Sequence, residues 1–310
     1  MEVFMQVVIG AGALGAATAE ALVERGERVR VVSRTGAGAP EREGVESVAA
    51  DVRDPESLDR AVAGAACVYQ CAQPPYHRWL EDFEPLQTAV IEAAARAGAN
   101  LVVADNLYGY GRPVGVLHED SPREPVSRKG ALRARMADAA LEAHRAGRLR
   151  VALVRPSNFF GPRYERSGVE LFRPALAGGR MTFLGGADQP HAYTYVPDAG
   201  RALAAVGTSD DGWGAAWIAP AQPAVTPREL ARLVWRAAGR EGDPRISVLG
   251  RRTASVLGLF SPLVRELPEM MYEFEEPFVV DSSRIQSAFG IRPTPLGEAV
   301  RASLDAFAMG

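Results

Sequence analysis

The stretch Met5-Gln6-Val7-Val8-Ile9-Gly10-Ala11-Gly12-Ala13-Leu14-Gly15, continued by AATAEALVERGERVRVVSR to Arg34, decides how this chain folds. Val7, Val8 and Ile9 form a short apolar run rich in β-branching, the mark of a buried strand. Gly10, Gly12 and Gly15 follow at once. Ala16, Ala19, Leu22 and Val23 then recur at helical spacing, Gly26 stops the helix, and Val29, Val31 and Val32 read as a second strand. Glycines alone are a weak signal; between a strand and a helix they are a strong one. Gly10 permits a tight turn, Gly12 lets a pyrophosphate approach the backbone, and Gly15 lets the helix pack on the strand while its amino terminus faces the phosphates. This predicts a dinucleotide site that includes Gly10, Gly12, Ala13, Leu14 and Gly15.

The second strand ends in Ser33-Arg34 and not in an acid. An acid would accept hydrogen bonds from the ribose hydroxyls and repel a phosphate there. Ser33 donates and Arg34 offers a planar charged fork suited to phosphate, so the expected cofactor is NADP (NADPH), with NAD as the alternative.

Strand and helix signals keep alternating: strands over 45–49, 66–69, 101–104 and 151–154, helices over 58–62, 83–97 and 130–144. The expected fold class is α/β, a Rossmann-type doubly wound parallel sheet with a smaller, discontinuous C-terminal substrate-binding region. The dinucleotide-binding part covers mainly 1–162 and the substrate-binding part mainly 163–310, with segments near 190–220 and 275–285 returning to the core. Ligands belong at the carboxyl ends of the strands. That adds Asp51 (a candidate adenine contact), Val52, Cys71, Ala72, Gln73 and Ala104 to the cofactor side, and Pro74 and Asn106 to the substrate side.

Bulk properties are those of an ordinary globular protein: 310 residues, 47% hydrophobic, 24% charged, formal charge −3. Nothing points to nucleic acid, which normally demands a basic patch. No apolar run reaches membrane-spanning length and no signal peptide is evident, so no membrane partner and a cytoplasmic location are expected. Cys67 and Cys71 read as free thiols. His77, His118, His144 and His191 are scattered without metal-ligand spacing, so no metal is expected.

Leu107-Tyr108-Gly109, Arg155-Pro156-Ser157-Asn158-Phe159-Phe160-Gly161-Pro162 and Tyr195-Val196-Pro197-Asp198-Ala199-Gly200-Arg201-Ala202, together with the opening glycines and Asp51-Val52, carry a resemblance. On them the chain resembles the extended short-chain dehydrogenase/reductase superfamily, of the NAD-dependent epimerase/dehydratase type. One residue, not the usual two, separates the first and second glycines. The resemblance places Pro156, Asn158 and Phe159 beside the nicotinamide, and Asn158 and Phe160 beside the substrate. It also implies a homodimer and a small-molecule substrate.

The resemblance further implies a catalytic Ser or Thr, a Tyr, and a Lys four residues after it. Placed by Leu107-Tyr108-Gly109, the serine position falls on Ala104; placed by Lys129, the tyrosine position falls on Pro125. Neither side chain can transfer a proton. Lys129 remains, as a catalytic and ribose-binding residue or as a surface lysine opening a helix. Replacement acids are sought in Tyr108 and Tyr193, with Tyr110, Tyr164 and Tyr195 as further tyrosines near the ligand side. Asp105 serves if burial raises its pKa, and otherwise caps a turn. His191 and Tyr195 complete the expected substrate contacts. The leading expectation is an atypical NADPH-dependent oxidoreductase reducing a small carbonyl or imine, since an iminium needs least help from an acid. The alternatives are a sugar-nucleotide epimerase/dehydratase, against which the missing tyrosine counts, and a non-catalytic NAD(P)-binding regulator.

Overall fold

The computed structural model describes residues 5–309; residues 1–4 and 310, the outer ends of the two expected regions, lie outside them. The strands in chain order are β1 (Met5–Ile9), β2 (Arg28–Ser33), β3 (Val45–Ala49), β4 (Ala65–Gln70), β5 (Asn100–Ala104), β6 (Val116–Leu117), β7 (Val151–Arg155), β8 (Asn158–Phe160), β9 (Arg180–Leu184), β10 (Tyr193–Tyr195), β11 (Ala216–Ile218), β12 (Arg245–Leu249) and β13 (Val279–Val280). Seven of them form one parallel sheet in the order β11-β7-β5-β4-β1-β2-β3. The order reverses between β1 and β4, which opens a crevice at their carboxyl ends. The fold is a Rossmann-type α/β sheet with smaller two-stranded ribbons attached.

Val7, Val8 and Ile9 are buried on both faces because helices cover both sides of the sheet. Helix Ala13–Glu24 packs on one face against helix Val196–Gly207; helices Trp79–Arg96 and Arg128–Arg145 cover the other. The caps are local. Asp54 accepts from the Glu56 amide to start helix Pro55–Val62, and Ser127 Oγ accepts from the Gly130 amide, 2.9 Å away, to start Arg128–Arg145. Thr226 and Glu229 form a capping box at the start of Pro227–Ala237.

Later chain returns to this frame. β11 extends the sheet beside β7, whereas β13 pairs with the short β6. β10 pairs with β8, and β12 with β9. The helix expected over 169–176 is instead broken into Glu165–Ser167, a π-helical turn at Gly168–Phe172 and Arg173–Ala177. Pro174 has no amide hydrogen, so an uninterrupted α-helical ladder cannot run through it. The apolar stretch near 256–267 forms helices Arg251–Leu257 and Pro262–Arg265, with Ala254 buried against Leu184 and Met271. No helix among the described residues is long and apolar enough to cross a membrane.

Candidate active site

A cleft of about 860 Å³ runs along the carboxyl ends of the strands, from the glycine turn and Arg34 to Asn158, Arg166 and Glu273. That size suits a sizeable organic ligand. A side pocket of about 60 Å³ continues from Asn158, Phe159, Tyr164 and Arg166 toward Tyr193 and Phe183.

The glycine turn is built for a backbone-hugging ligand. Gly10 has φ +107°, and a Cβ there would lie 2.6 Å from the Ala72 amide nitrogen. A Cβ on Gly12 would meet nothing within 4 Å, so this backbone faces open space at the start of helix Ala13–Glu24. Gly15 presses on the Gly10 carbonyl and does not line the cleft. The residues present therefore fit a dinucleotide pyrophosphate. Ala13, Leu14, Ser33, Arg34, Asp51, Val52, Cys71, Ala72 and Gln73 line the same cleft, as do Ala104, Pro156, Asn158 and Phe159.

At the far end of β2, Ser33 Oγ donates to the Ala37 carbonyl at 2.9 Å. Asp51 is held by Arg53 at 2.7 Å, and this hydrogen-bonded pairing pulls its carboxyl down to about 2. Arg34 also acts on Asp51, so the two share one electrostatic neighbourhood. Arg34, Asp51 and its partner Arg53 line this stretch of the cleft together.

Asp105 closes the floor after β5. Arg133 contacts its Oδ1, and Arg155 Nε donates to its Oδ2 at 2.8 Å. Arg155 also donates to the Tyr110 hydroxyl at 2.7 Å, and that hydroxyl donates to the Glu119 carbonyl at 3.0 Å. Burial acts to raise the Asp105 pKa, but the two guanidinium groups and their hydrogen bonds outweigh it and the net shift is downward. The expectation of a raised acid at Asp105 is corrected: this carboxylate is locked and ionised. Asn106 Oδ1 accepts from the Tyr108 amide at 3.2 Å and, with Pro74, lines the cleft.

Lys129 departs furthest from expectation. It is neither at the surface nor in the cleft: it is fully buried, and its Nζ is taken by Glu266 and Glu269, the latter at 2.7 Å, with the Tyr76 ring beside it. Sequence reading missed this because the two glutamates lie on a turn far along the chain. One turn onward on the same helix, Arg133 does line the cleft. Its Nη1 is buried without a hydrogen-bond partner, and its guanidinium sits over Phe83.

The tyrosines divide. Tyr108 lines the cleft, Tyr193 only the side pocket, and Tyr195 neither. Tyr193 and Tyr195 both pack on Phe160, which closes the core under the side pocket. Burial pushes Tyr76, Tyr108, Tyr164 and Tyr193 upward, whereas a tyrosine acting as a base needs the opposite. His191 does not touch the cleft. Its Nδ1 donates to the Glu273 carbonyl at 3.1 Å, and its Nε2 accepts from Asn158 Nδ2 at 2.9 Å. Stacked between Phe274 and Phe278, it is pulled by burial to about 4 and stays neutral. It lines neither cavity and holds Asn158, which lines both.

Sequence reading missed Glu273, Arg166, Tyr76, Trp79 and Arg133 in the cleft wall. Arg133 carried a usable signal, one turn after Lys129. Glu273 carried none, sitting among Glu269, Glu275 and Glu276 in an acidic run.

A family model for the NAD dependent epimerase/dehydratase family matches residues 7–215. The chain belongs to this family. It is an enzyme of the NAD-dependent epimerase/dehydratase type. No curated protein matches the chain. Among solved structures, the UDP-glucose 4-epimerase of Thermus thermophilus in complex with NAD is similar with TM-score 0.78 at 22% identity, over 98% of this chain and 99% of that one. The UDP-glucuronic acid 4-epimerase of Bacillus cereus in complex with NAD gives 0.79 at 15% identity, over 99% and 97%. The UDP-glucose 4-epimerase of Thermotoga maritima with UDP-glucose gives 0.80 at 19% identity, over 99% of each chain.

Two expectations are corrected by these findings. The Thermus and Bacillus structures hold NAD, against the expected NADPH preference. Ser33, the hydroxyl expected to donate to a 2′-phosphate, is already spent on the Ala37 carbonyl. The epimerases on this fold also overturn the reading as a carbonyl or imine reductase and favour its sugar-nucleotide alternative.

Proposed function

We propose that this epimerase/dehydratase family member binds NAD and acts on a sugar nucleotide, interconverting or dehydrating its sugar by transient oxidation at a hydroxyl-bearing carbon. The observation that carries the reading is the continuous cleft of about 860 Å³ from Gly10 to Arg166, which adjoins a side pocket at Asn158, Phe159 and Arg166. Gly10, Gly12 and Ala72 would hold the pyrophosphate of NAD. Arg133, one helical turn after Lys129, lines the cleft and would take the place of Lys129 at the nicotinamide ribose. When bound, NAD supplies a reversible acceptor for two electrons and a hydrogen. Arg166 lines both cleft and side pocket, its Nε donating to Glu170 at 3.0 Å, and its remaining guanidinium nitrogens would meet an anionic substrate. Asn158 is held by His191 with its amide nitrogen fixed, ready to orient a sugar oxygen.

The test is incubation of the purified protein and NAD+ with UDP-glucose and with UDP-glucuronic acid, followed by proton NMR of the sugar. The expected result is a new sugar-nucleotide signal set that requires NAD+. Unchanged spectra for both, with no NADH absorbance, reject the reading.

A further inference from the structure

Among the described residues, four carboxyl groups line the cleft: Asp51, Asp82, Asp105 and Glu273. The first three are committed to arginines: Asp51 to Arg53, Asp82 to Arg78, and Asp105 to Arg133 and Arg155. Glu273 has no ion pair among the described residues. It is only 2% exposed, and its Oε2 is buried without a hydrogen-bond partner. A polar atom left this way inside a protein calls for a reason. The reason is its place: Glu273 stands at the end of the cleft with Asn158, Phe159 and Tyr108, where the resemblance puts nicotinamide and substrate.

We propose that Glu273 is the proton-transfer residue of this site and replaces the absent tyrosine. The proposal rests on the sugar-nucleotide reading only for the hydroxyl on which it acts. As the substrate C–H bond passes its hydrogen and electron pair to oxidised NAD, the O–H proton on the same carbon moves to the Glu273 carboxylate, which lines the cleft. A C=O and a neutral carboxylic acid remain. The reverse transfer returns the proton from that carboxyl.

The surroundings suit both protonation states. Burial pushes the Glu273 carboxyl up to about 8, while Asn158 on β8 and Arg166 on helix Glu165–Ser167 act in the opposite direction. Tyr108 after β5, Tyr76 on the turn Tyr76–Arg78 and the adjacent Tyr272 feel its charge. His191 touches only its backbone carbonyl and stays neutral. A carboxyl titrating near the working pH both gives and takes a proton efficiently.

The placement is tested without substrate by infrared spectroscopy of the full chain carrying 13C-labelled glutamate, wild type against Glu273→Gln, from pH 5 to 10. A protonated-carboxyl band should persist at pH 7, disappear with a midpoint near 8, and be missing in the variant. NAD+, whose ring is cationic, should move that midpoint to lower pH, and NADH should not. Stability gives a second readout. A carboxyl raised in the folded state loses stability between its unfolded pKa and pH 8. Glu273→Gln should therefore gain Tm on wild type as pH rises from 5 to 8. A band lost in the ordinary carboxylate range, or a midpoint indifferent to NAD+, overturns the proposal. With UDP-glucose, NADH formation in Glu273→Gln should fall by about 10²–10³-fold, while NAD+ affinity is kept at pH 6, where Glu273 is neutral in wild type as well. Equal rates in both proteins also overturn it. If wild type leaves UDP-glucose unoxidised but the band titrates near 8 and responds to NAD+, the sugar-nucleotide reading fails and the placement of Glu273 is supported.

Discussion

Arg133 holds Asp105 through two nitrogens, Nε at 3.1 Å and Nη2 at 2.6 Å from the same oxygen, Oδ1. Arg155 takes the other oxygen, and all three side chains are buried. The network joins β5, β7 and helix Arg128–Arg145 under the cleft floor. Asp105→Asn leaves two buried guanidinium groups short of their counter-ion and should cost about 3–5 kcal/mol in chemical denaturation. A loss of turnover at unchanged stability would instead assign Asp105 to chemistry.

Lys129 makes the matching case at the other end of that helix. Lys129→Met strands Glu266 and Glu269 against each other and should cost about 3 kcal/mol. NAD+ affinity, measured by calorimetry on the folded variant, should stay within about twofold, because no part of Lys129 lines the cleft. A large affinity loss would return Lys129 to the ribose.

Gly10→Ala tests the cradle. The added Cβ would lie 2.6 Å from the Ala72 nitrogen, in a backbone conformation that side chains rarely adopt. NAD+ affinity should fall at least about tenfold, with a lowered Tm. Unchanged affinity would mean that the pyrophosphate does not use this turn.

Cofactor choice should follow Asp51. NAD+ should bind at least about tenfold more tightly than NADP+, one unfavourable charge contact being worth about 1.4 kcal/mol or more. Asp51→Asn, which leaves Arg53 without its counter-ion beside Arg34, should narrow the gap by improving NADP+. If the ratio of the two affinities is the same in variant and wild type, Asp51 is not the discriminator.

Acid should destabilise the fold through His191. Its folded pKa of about 4 lies below the ordinary histidine value of 6.5, so the unfolded chain binds the proton first. Stability is therefore complete above pH 6.5 and declines toward pH 4, at up to about 1.4 kcal/mol per pH unit. His191→Gln should flatten that part of the Tm–pH profile. An unaltered slope would show that other groups carry it.

The glycine turn, the alternating βα order and the family landmarks were legible in the sequence because they are local. A turn that needs φ above zero, a helix that needs a cap and a strand buried on both faces each leave a mark within a few residues. By themselves they determined a Rossmann sheet and membership of the epimerase/dehydratase family, and they raised the expectation of a dinucleotide site at the carboxyl edge without the usual tyrosine. Charge partners leave no such mark. Whether Lys129 faces a ribose or two glutamates, whether Asp105 is raised or locked, and whether Glu273 is one more surface acid or a buried one on the cleft were decided only by tertiary packing. An ionisable side chain takes its character from what surrounds it in space, and here those surroundings come from residues as distant in sequence as Asn158 and Glu273.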